Sequence, residues 1–214
     1  MTDTLQRLSR ALQNGNSDDV ARWTRAAIDA GLETQTILNE GLIGGMAVVG
    51  ERFRTHEIFL PDVLLAAKAM YVGMELLRPL LIRDDVPTVR TVVIGTVQGD
   101  LHDIGKNLVG IMLKGAGFDV IDLGRDVPPE RFVTEAERTG ADVIGVSALL
   151  TTTMVNMGKV INLARERGLR PKTKIIVGGA PLSQEFAQRI GADAYCFDGT
   201  SAVDCVKRFV SQAR

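Results

Sequence analysis

The hydrophobic period of this sequence changes once, and that change limits the possible folds more than any single residue does. From Leu5 to about Arg83 apolar residues recur three or four apart, as in Leu5, Leu8 and Leu12 and then Ile28 and Leu32, with breaks at Gly15-Asn16-Ser17-Asp18 and at Gly31. The spacing predicts four or five short helices packed as a bundle. Ser17 or Asp18 is the expected cap of the helix through Val20 and Trp23, and Pro61 sits near the start of a long helix running through Leu64, Ala67, Met70 and Met74 towards Leu81. The stretch Asp84-Asp85-Val86-Pro87-Thr88 is polar, carries a proline and follows neither period. It is the expected boundary between a helical domain, residues 1–86, and a second domain, residues 87–214.

Beyond the boundary, short β-branched runs alternate with amphipathic segments. Five strands are predicted, at Thr91 to Val97, Val120 to Leu123, Val143 to Ser147, Lys174 to Val177 and, weakly, Ala194 to Phe197. The segments between them, led by Gly105 to Lys114, Pro129 to Arg138, Thr153 to Glu166 and Leu182 to Ile190, have helical spacing and suit right-handed crossovers. The expected fold class is therefore α/β: a helical bundle followed by a doubly wound, five-stranded parallel sheet of flavodoxin or Rossmann-like kind.

Composition removes several classes of function. With 25 Lys and Arg against 26 Asp and Glu the formal net charge is -1, so no global field draws the chain to nucleic acid or to an anionic membrane. A 45% hydrophobic, 24% charged chain is not disordered. No apolar run approaches the roughly 20 residues that span a bilayer. Met1 to Arg7 lacks a basic patch followed by an apolar stretch, so no export signal is expected and the cytoplasm is the expected location. The two cysteines, Cys196 and Cys205, are too few for a disulfide framework or a structural zinc site and are expected to be buried free thiols.

In open α/β sheets ligands lie beyond the carboxyl ends of the strands. Three such ends are unusual here: Gly99-Asp100-Leu101-His102-Asp103-Ile104-Gly105-Lys106-Asn107 after the first strand, Ser147-Ala148-Leu149-Leu150-Thr151-Thr152-Thr153 after the third, and Gly178-Gly179-Ala180 after the fourth. The first misses the phosphate-binding P-loop, having one spacer too many and Asn107 where a magnesium-binding hydroxyl belongs. Glycines 95, 99 and 105 do not have the dinucleotide spacing, and Ser147 stands where a phosphoacceptor domain would have Asp. What remains is the imidazole of His102 with Asp100 two residues before it. A carboxylate on the far nitrogen of a ligating imidazole fixes its tautomer and raises its basicity. One His cannot hold a bare ion, and His56 lies in the helical half, so a metal would have to arrive with most of its coordination filled, as in a macrocycle.

Asp100-x-His102-x-x-Gly105, Ser147-x-Leu149 and Gly178-Gly179 together resemble the three-part signature of cobalamin-binding domains that hold the cofactor base-off and His-on. The resemblance implies that His102 is the lower axial ligand of cobalt and Asp100 its hydrogen-bonded partner. It places Ser147, Leu149, Gly178 and Gly179 along the channel for the nucleotide tail, with Gly99, Asp103, Ile104, Gly105, Thr151 and Thr153 among the cofactor-contacting positions. Glycines suit such a channel because a residue without Cβ lets backbone approach a ligand closely. In methionine synthase the third relay member after Asp and His is Ser, and the matching position here is Thr153, which keeps the hydroxyl. Gly50-Glu51-Arg52-Phe53, Glu57-Ile58-Phe59-Leu60-Pro61 and Ala66-Ala67-Lys68-Ala69-Met70 resemble the cap domain that precedes the cobalamin domain in methionine synthase and in small corrinoid proteins of methyltransferase systems. Met46, Met70 and Met74 read as bundle core, whereas Phe59 is the candidate to cover the methyl-bearing face, where an apolar lid would keep water away.

The resemblance implies a corrinoid methyl carrier, not catalytic alone, because a cap and a cobalamin domain leave no room for a substrate barrel. A substrate-specific methyltransferase would load a methyl group onto Co(I), and a second would pass it to a thiol or tetrahydrofolate, with a reductive activase as further partner. The cofactor would be methylcobalamin, hydroxocobalamin or a related corrinoid. Exposure to two enzymes in turn implies a moving cap and a hinge at Asp84 to Thr88. The rivals are the small subunit of an adenosylcobalamin mutase, a cobalamin-based sensor, for which no helix-turn-helix or basic face stands out, and a flavodoxin-like domain with another ligand.

Overall fold

The first helix starts where a side chain can hold a free backbone N–H: the Thr2 hydroxyl accepts from Leu5 N at 3.4 Å, and α1 (Asp3–Gln13) follows with Leu5, Leu8 and Leu12 buried along one stripe. In α2 (Ser17–Asp29) the cap is Asn16, not Ser17 or Asp18; its Oδ1 accepts from Asp19 N at 3.0 Å, which puts Ser17 at the first helical position. The single turn α3 (Thr34–Thr36) continues through a π-helical stretch, Ile37–Ile43, into α4 (Gly44–Arg54). The long α5 runs over Leu60–Arg83 and tolerates Pro79 near its end. Met46 and Met70 are buried in this core, and Met74 is only half-buried.

The computed structural model describes residues 2–84 and 90–212. Two compact units form, Met1–Val89 with Lys114–Gly117, and Arg90–Leu113 with Phe118–Arg214. The boundary expected at residues 86 and 87, and all of the expected hinge after Asp84, lie outside the described residues. Asp84 itself is held: the buried Thr34 hydroxyl donates to its Oδ2 at 2.6 Å.

In the second unit β1 (Thr91–Thr96), β2 (Asp119–Asp122), β3 (Val143–Ser147), β4 (Lys174–Gly178) and β5 (Ala194–Cys196) form one parallel sheet in the order β2-β1-β3-β4-β5. The intervening helices are α6 (Ile104–Gly115), α7 (Pro129–Thr139), α8 (Val155–Glu166) and α9 (Gln184–Ile190). A last helix, α10 (Gly199–Gln212), has no counterpart in the sequence reading, although Asp198 caps it, accepting Ser201 N at 2.7 Å. Phe132, Met157, Ile161 and Phe186 from α7, α8 and α9 pack on Val93, Ile144 and Ile175. Gly110 of α6 lies against Ile94, and Gly199 of α10 against Met112, so α6 and α10 cover the opposite face. Both faces are covered, which is why the strands read as continuous apolar runs. This is the helical-plus-doubly-wound α/β architecture expected. Cys196 is a buried free thiol; Cys205 is not buried, because it lies on the half-exposed flank of α10 with the Arg208 guanidinium 3.4 Å from its Sγ.

Candidate functional site

The chain winds from β1 outward to β2 through α6, then crosses back over β1 to β3 through α7 and continues the other way to β4 and β5, so the strand order reverses at the boundary between β1 and β3. Such a switch point opens a crevice at the carboxyl ends of the strands. In-register pairing puts Thr96, Ser147, Gly178 and Cys196 in one row along that edge. The first and third loops meet above it.

Their meeting point is Asp100, fully buried. Its Oδ1 accepts from the His102 N–H at 3.0 Å and lies 2.8 Å from His102 Nδ1. Its Oδ2 accepts from Leu149 N at 2.7 Å, Leu150 N at 3.2 Å and the Thr153 hydroxyl at 2.7 Å. Burial alone would raise the carboxyl's pKa, but the hydrogen bonds from Thr153, the His102 and Leu149 amides and the His102 ring outweigh it and hold Asp100 well below the usual carboxylate range. A carboxylate so held has no proton to give, so the proton between it and the ring belongs to Nδ1. In the neutral imidazole Nε2 is then the nitrogen that carries the lone pair, on a side chain 51% exposed.

Thr153, read from sequence as the start of the helix, lies instead in the turn before α8, which begins two residues later at Val155, and this lets its hydroxyl reach across to Asp100. The structure thus brings Asp100, His102 and Thr153 together. Ser147 and Gly178 sit side by side in the sheet, and Leu149 and Thr151 are exposed on the third loop. Asp103 caps the start of α6 through its carbonyl, 2.8 Å from Asn107 N. Gly105 faces open space, where a Cβ would meet no atom within 4 Å. At Gly179 (φ +141) a Cβ would fall 1.8 Å from the Ala148 carbonyl oxygen, so the close approach that demands glycine there is to the protein's own third loop. Phe59 belongs to the helical unit, at the start of α5, where its N–H donates to Asp62 Oδ2 at 2.9 Å and its ring is 68% exposed.

Several large apolar side chains on the segments that follow the strands are exposed: Leu101 and Ile104 (82% exposed) beside His102 in sequence, Leu149, Leu150 and Val155 after β3 and Phe197 after β5. Of these, Leu101, Leu150, Val155 and Phe197 were not singled out from sequence; the available signal was their place at or just after predicted strand ends. Lys106, the lysine of the near P-loop, is buried and paired with Asp122 and, at 2.6 Å, with Asn107 Oδ1, so it presents no charge to a phosphate. Among the described residues no group of three or more His, Cys, Asp or Glu could hold a metal ion. One free imidazole nitrogen among exposed apolar side chains fits a metal that brings its own equatorial ligands and an apolar rim.

A helical unit ahead of a doubly wound sheet, with an Asp-buttressed imidazole at the switch point, defines a cobalamin-binding protein, and comparison with known proteins agrees. Residues 90–207 match the family model of the B12 binding domain, and residues 4–78 match a second model of the same description. The chain belongs to the B12-binding corrinoid proteins. It is 41% identical over 211 residues to a corrinoid protein of Desulfitobacterium hafniense (strain Y51), covering 97% of this chain and 98% of that one. It is 43% identical over 210 residues to the dimethylamine corrinoid protein of Methanosarcina barkeri, covering 98% of each. Among solved structures, the methanol:cobalamin methyltransferase complex of Methanosarcina barkeri has a chain that superposes with a TM-score of 0.84 at 31% identity, over 98% of this chain and 80% of that one. No helix among the described residues is long and apolar enough to cross a membrane.

Proposed function

We propose that this chain is the methyl-carrying subunit of a corrinoid-dependent methyltransferase system and that it holds its corrinoid base-off, with His102 Nε2 as the lower axial ligand. When bound, the cobalt of the corrin supplies a centre that takes a methyl group from a donor and yields it to an acceptor. The single observation that carries the reading is the buried Asp100 carboxylate, which leaves His102 only one nitrogen to offer and offers it among exposed apolar side chains.

Asp100 orients the imidazole and stabilises its Nδ1–H. Thr153 donates to the opposite carboxylate oxygen and so helps to keep Asp100 ionised and turned towards the ring. Ser147 and Gly178, in register at the sheet edge, and Leu149 and Gly179 beside them are the positions for the nucleotide tail. A substrate-specific methyltransferase supplies the methyl group, a second one removes it to a thiol or tetrahydrofolate, and an activase restores the reduced state. Donor specificity lies in the first partner. Methylamine systems are the first to assay, because relatives at 41–45% identity are dimethylamine and trimethylamine corrinoid proteins.

The test is the Co(II) paramagnetic spectrum of the full chain reconstituted with hydroxocobalamin and reduced. The expected spectrum shows coupling to one axial nitrogen, which His102→Ala abolishes while weak binding through the tail persists, with affinity down about 10–100-fold. Unchanged coupling in His102→Ala overturns the axial assignment, and failure of the wild type to bind any B12 form overturns the carrier reading.

A further inference from the structure

The loop that presents His102 starts with Gly99 at φ +84, a residue with no side chain to stiffen it. Its rigidity must come from its partners. At its far end the Thr96 hydroxyl donates to the His102 carbonyl at 3.0 Å, and two clamps hold its start. One is Asn156 of α8, whose Nδ2 donates to the Gln98 carbonyl at 2.8 Å. The other is Asp126, in the loop after β2, which grips both ends of the Gly99-Asp100 dipeptide: its Oδ1 accepts the Gly99 N–H at 2.7 Å and its own N–H donates to the Asp100 carbonyl at 3.0 Å.

Asp126 makes this grip at φ +54, in the left-handed region, shared among the described non-glycine residues only with His56. Gly124, two residues earlier, adopts φ +86 without a Cβ to oppose it. A glycine at 126 would relieve the backbone in the same way but would leave the Gly99 N–H without its carboxylate. Strain kept where a simpler residue would remove it marks a position whose side chain has work to do. The loop is in turn anchored to β1, with Thr96 N donating to Gly124 O at 3.0 Å and Val127 N to Thr96 O at 2.9 Å.

We infer that Asp126 is a positioning residue for the axial ligand, setting the height and tilt of the His102 imidazole through its two-sided hold on Gly99-Asp100. The inference rests on the reading of His102 as the corrin ligand. Ligating groups must be held within about 0.5 Å of productive geometry, and here the dipeptide that carries the buttressing carboxylate is the one Asp126 holds.

The experiment compares Asp126→Gly, Asp126→Ala and Asp126→Asn in the full chain. With hydroxocobalamin reduced to Co(II), the wild type and Asp126→Asn are expected to show full axial-nitrogen coupling, since Asn keeps an acceptor oxygen and tolerates the left-handed backbone. Asp126→Gly and Asp126→Ala are expected to lower the coupled fraction about threefold or more, with Asp126→Gly unchanged in melting temperature. Full coupling in both overturns the assignment alone, whereas a wild type without coupling overturns it together with the reading beneath it. Should the small variants not fold, hydrogen exchange of the Gly99 amide in the cofactor-free wild type decides. Protection of about tenfold or more supports the clamp, and an unprotected amide overturns it.

Discussion

In the helical unit the ion pairs are local and wet: Arg7 with Asp3 at 2.7 Å, Arg22 with Asp19 at 2.7 Å and Arg78 with Glu75 at 2.8 Å all join residues three or four apart through side chains more than a third exposed. In the sheet unit the polar bonds that matter span the chain. Thr153 reaches Asp100 across 53 residues, Arg90 reaches Asp142 across 52, and the Thr173 hydroxyl bonds the Ala141 carbonyl across 32, each partly or wholly out of water. Apart from the Thr34–Asp84 bond across 50 residues, the first unit is therefore held mainly by its apolar stripe. The second adds a polar framework that fixes where the strand ends stand, which is what a ligand site needs and a bundle does not.

The comparison breaks most visibly at Phe132, a fully buried side chain packed where α7 meets the sheet, with Gly95 directly beneath its ring. Phe132→Ala is expected to destabilise the sheet unit by about 3–5 kcal/mol, because a cavity at a covered parallel sheet cannot collapse without moving strands. Denaturant unfolding followed by Trp23 fluorescence, which reports the helical unit, against far-ultraviolet circular dichroism would separate the two; coincident shifts of both probes would show that the units unfold as one.

Asp100 comes next and tests the polar framework directly. Asp100→Asn keeps the shape but replaces a charged acceptor by an amide facing several donors, at an expected cost of about 2–3 kcal/mol. The sign with pH follows from the lowered pKa: folded, Asp100 binds a proton less readily than unfolded, so its contribution is present above the ordinary carboxylate range and is lost as the pH falls. Wild-type stability should therefore fall on acidification more steeply than that of Asp100→Asn. Parallel slopes would mean that the buried carboxylate carries no such linkage.

The contrast between the units also explains what could be read from the sequence. The strands and crossover helices are legible because each is carried by a short run, and the Asp100-His102 pair because both residues lie within one loop; positions 147, 149, 178 and 179 were picked out by resemblance to a family signature. Thr153 was reached in the same way, since its bond to Asp100 joins two loops that no local pattern links. Asp126 was not legible at all: its partners are backbone atoms of Gly99 and Asp100, and backbone contacts leave no residue-type signal. The cap at Asn16 was missed for a smaller reason, that several neighbouring polar residues can cap a helix and only geometry selects one. The exposure of Leu101, Leu150, Val155 and Phe197 escaped because an apolar residue in a sequence reads as core by default, and only the structure shows it left in water.

The smallest effect is expected where the helical unit is most decorated. Arg78→Ala removes the pair with Glu75 on α5, both side chains about two-thirds exposed. The charges remain solvated whether paired or not, so stability should change by less than about 0.5 kcal/mol and any change should vanish in high salt. A loss above about 1 kcal/mol, persisting at 1 M salt, would mean that the aliphatic stem of Arg78 covers core surface, and the division between a bundle held by apolar burial and a sheet unit held partly by buried polar bonds would have to be drawn differently.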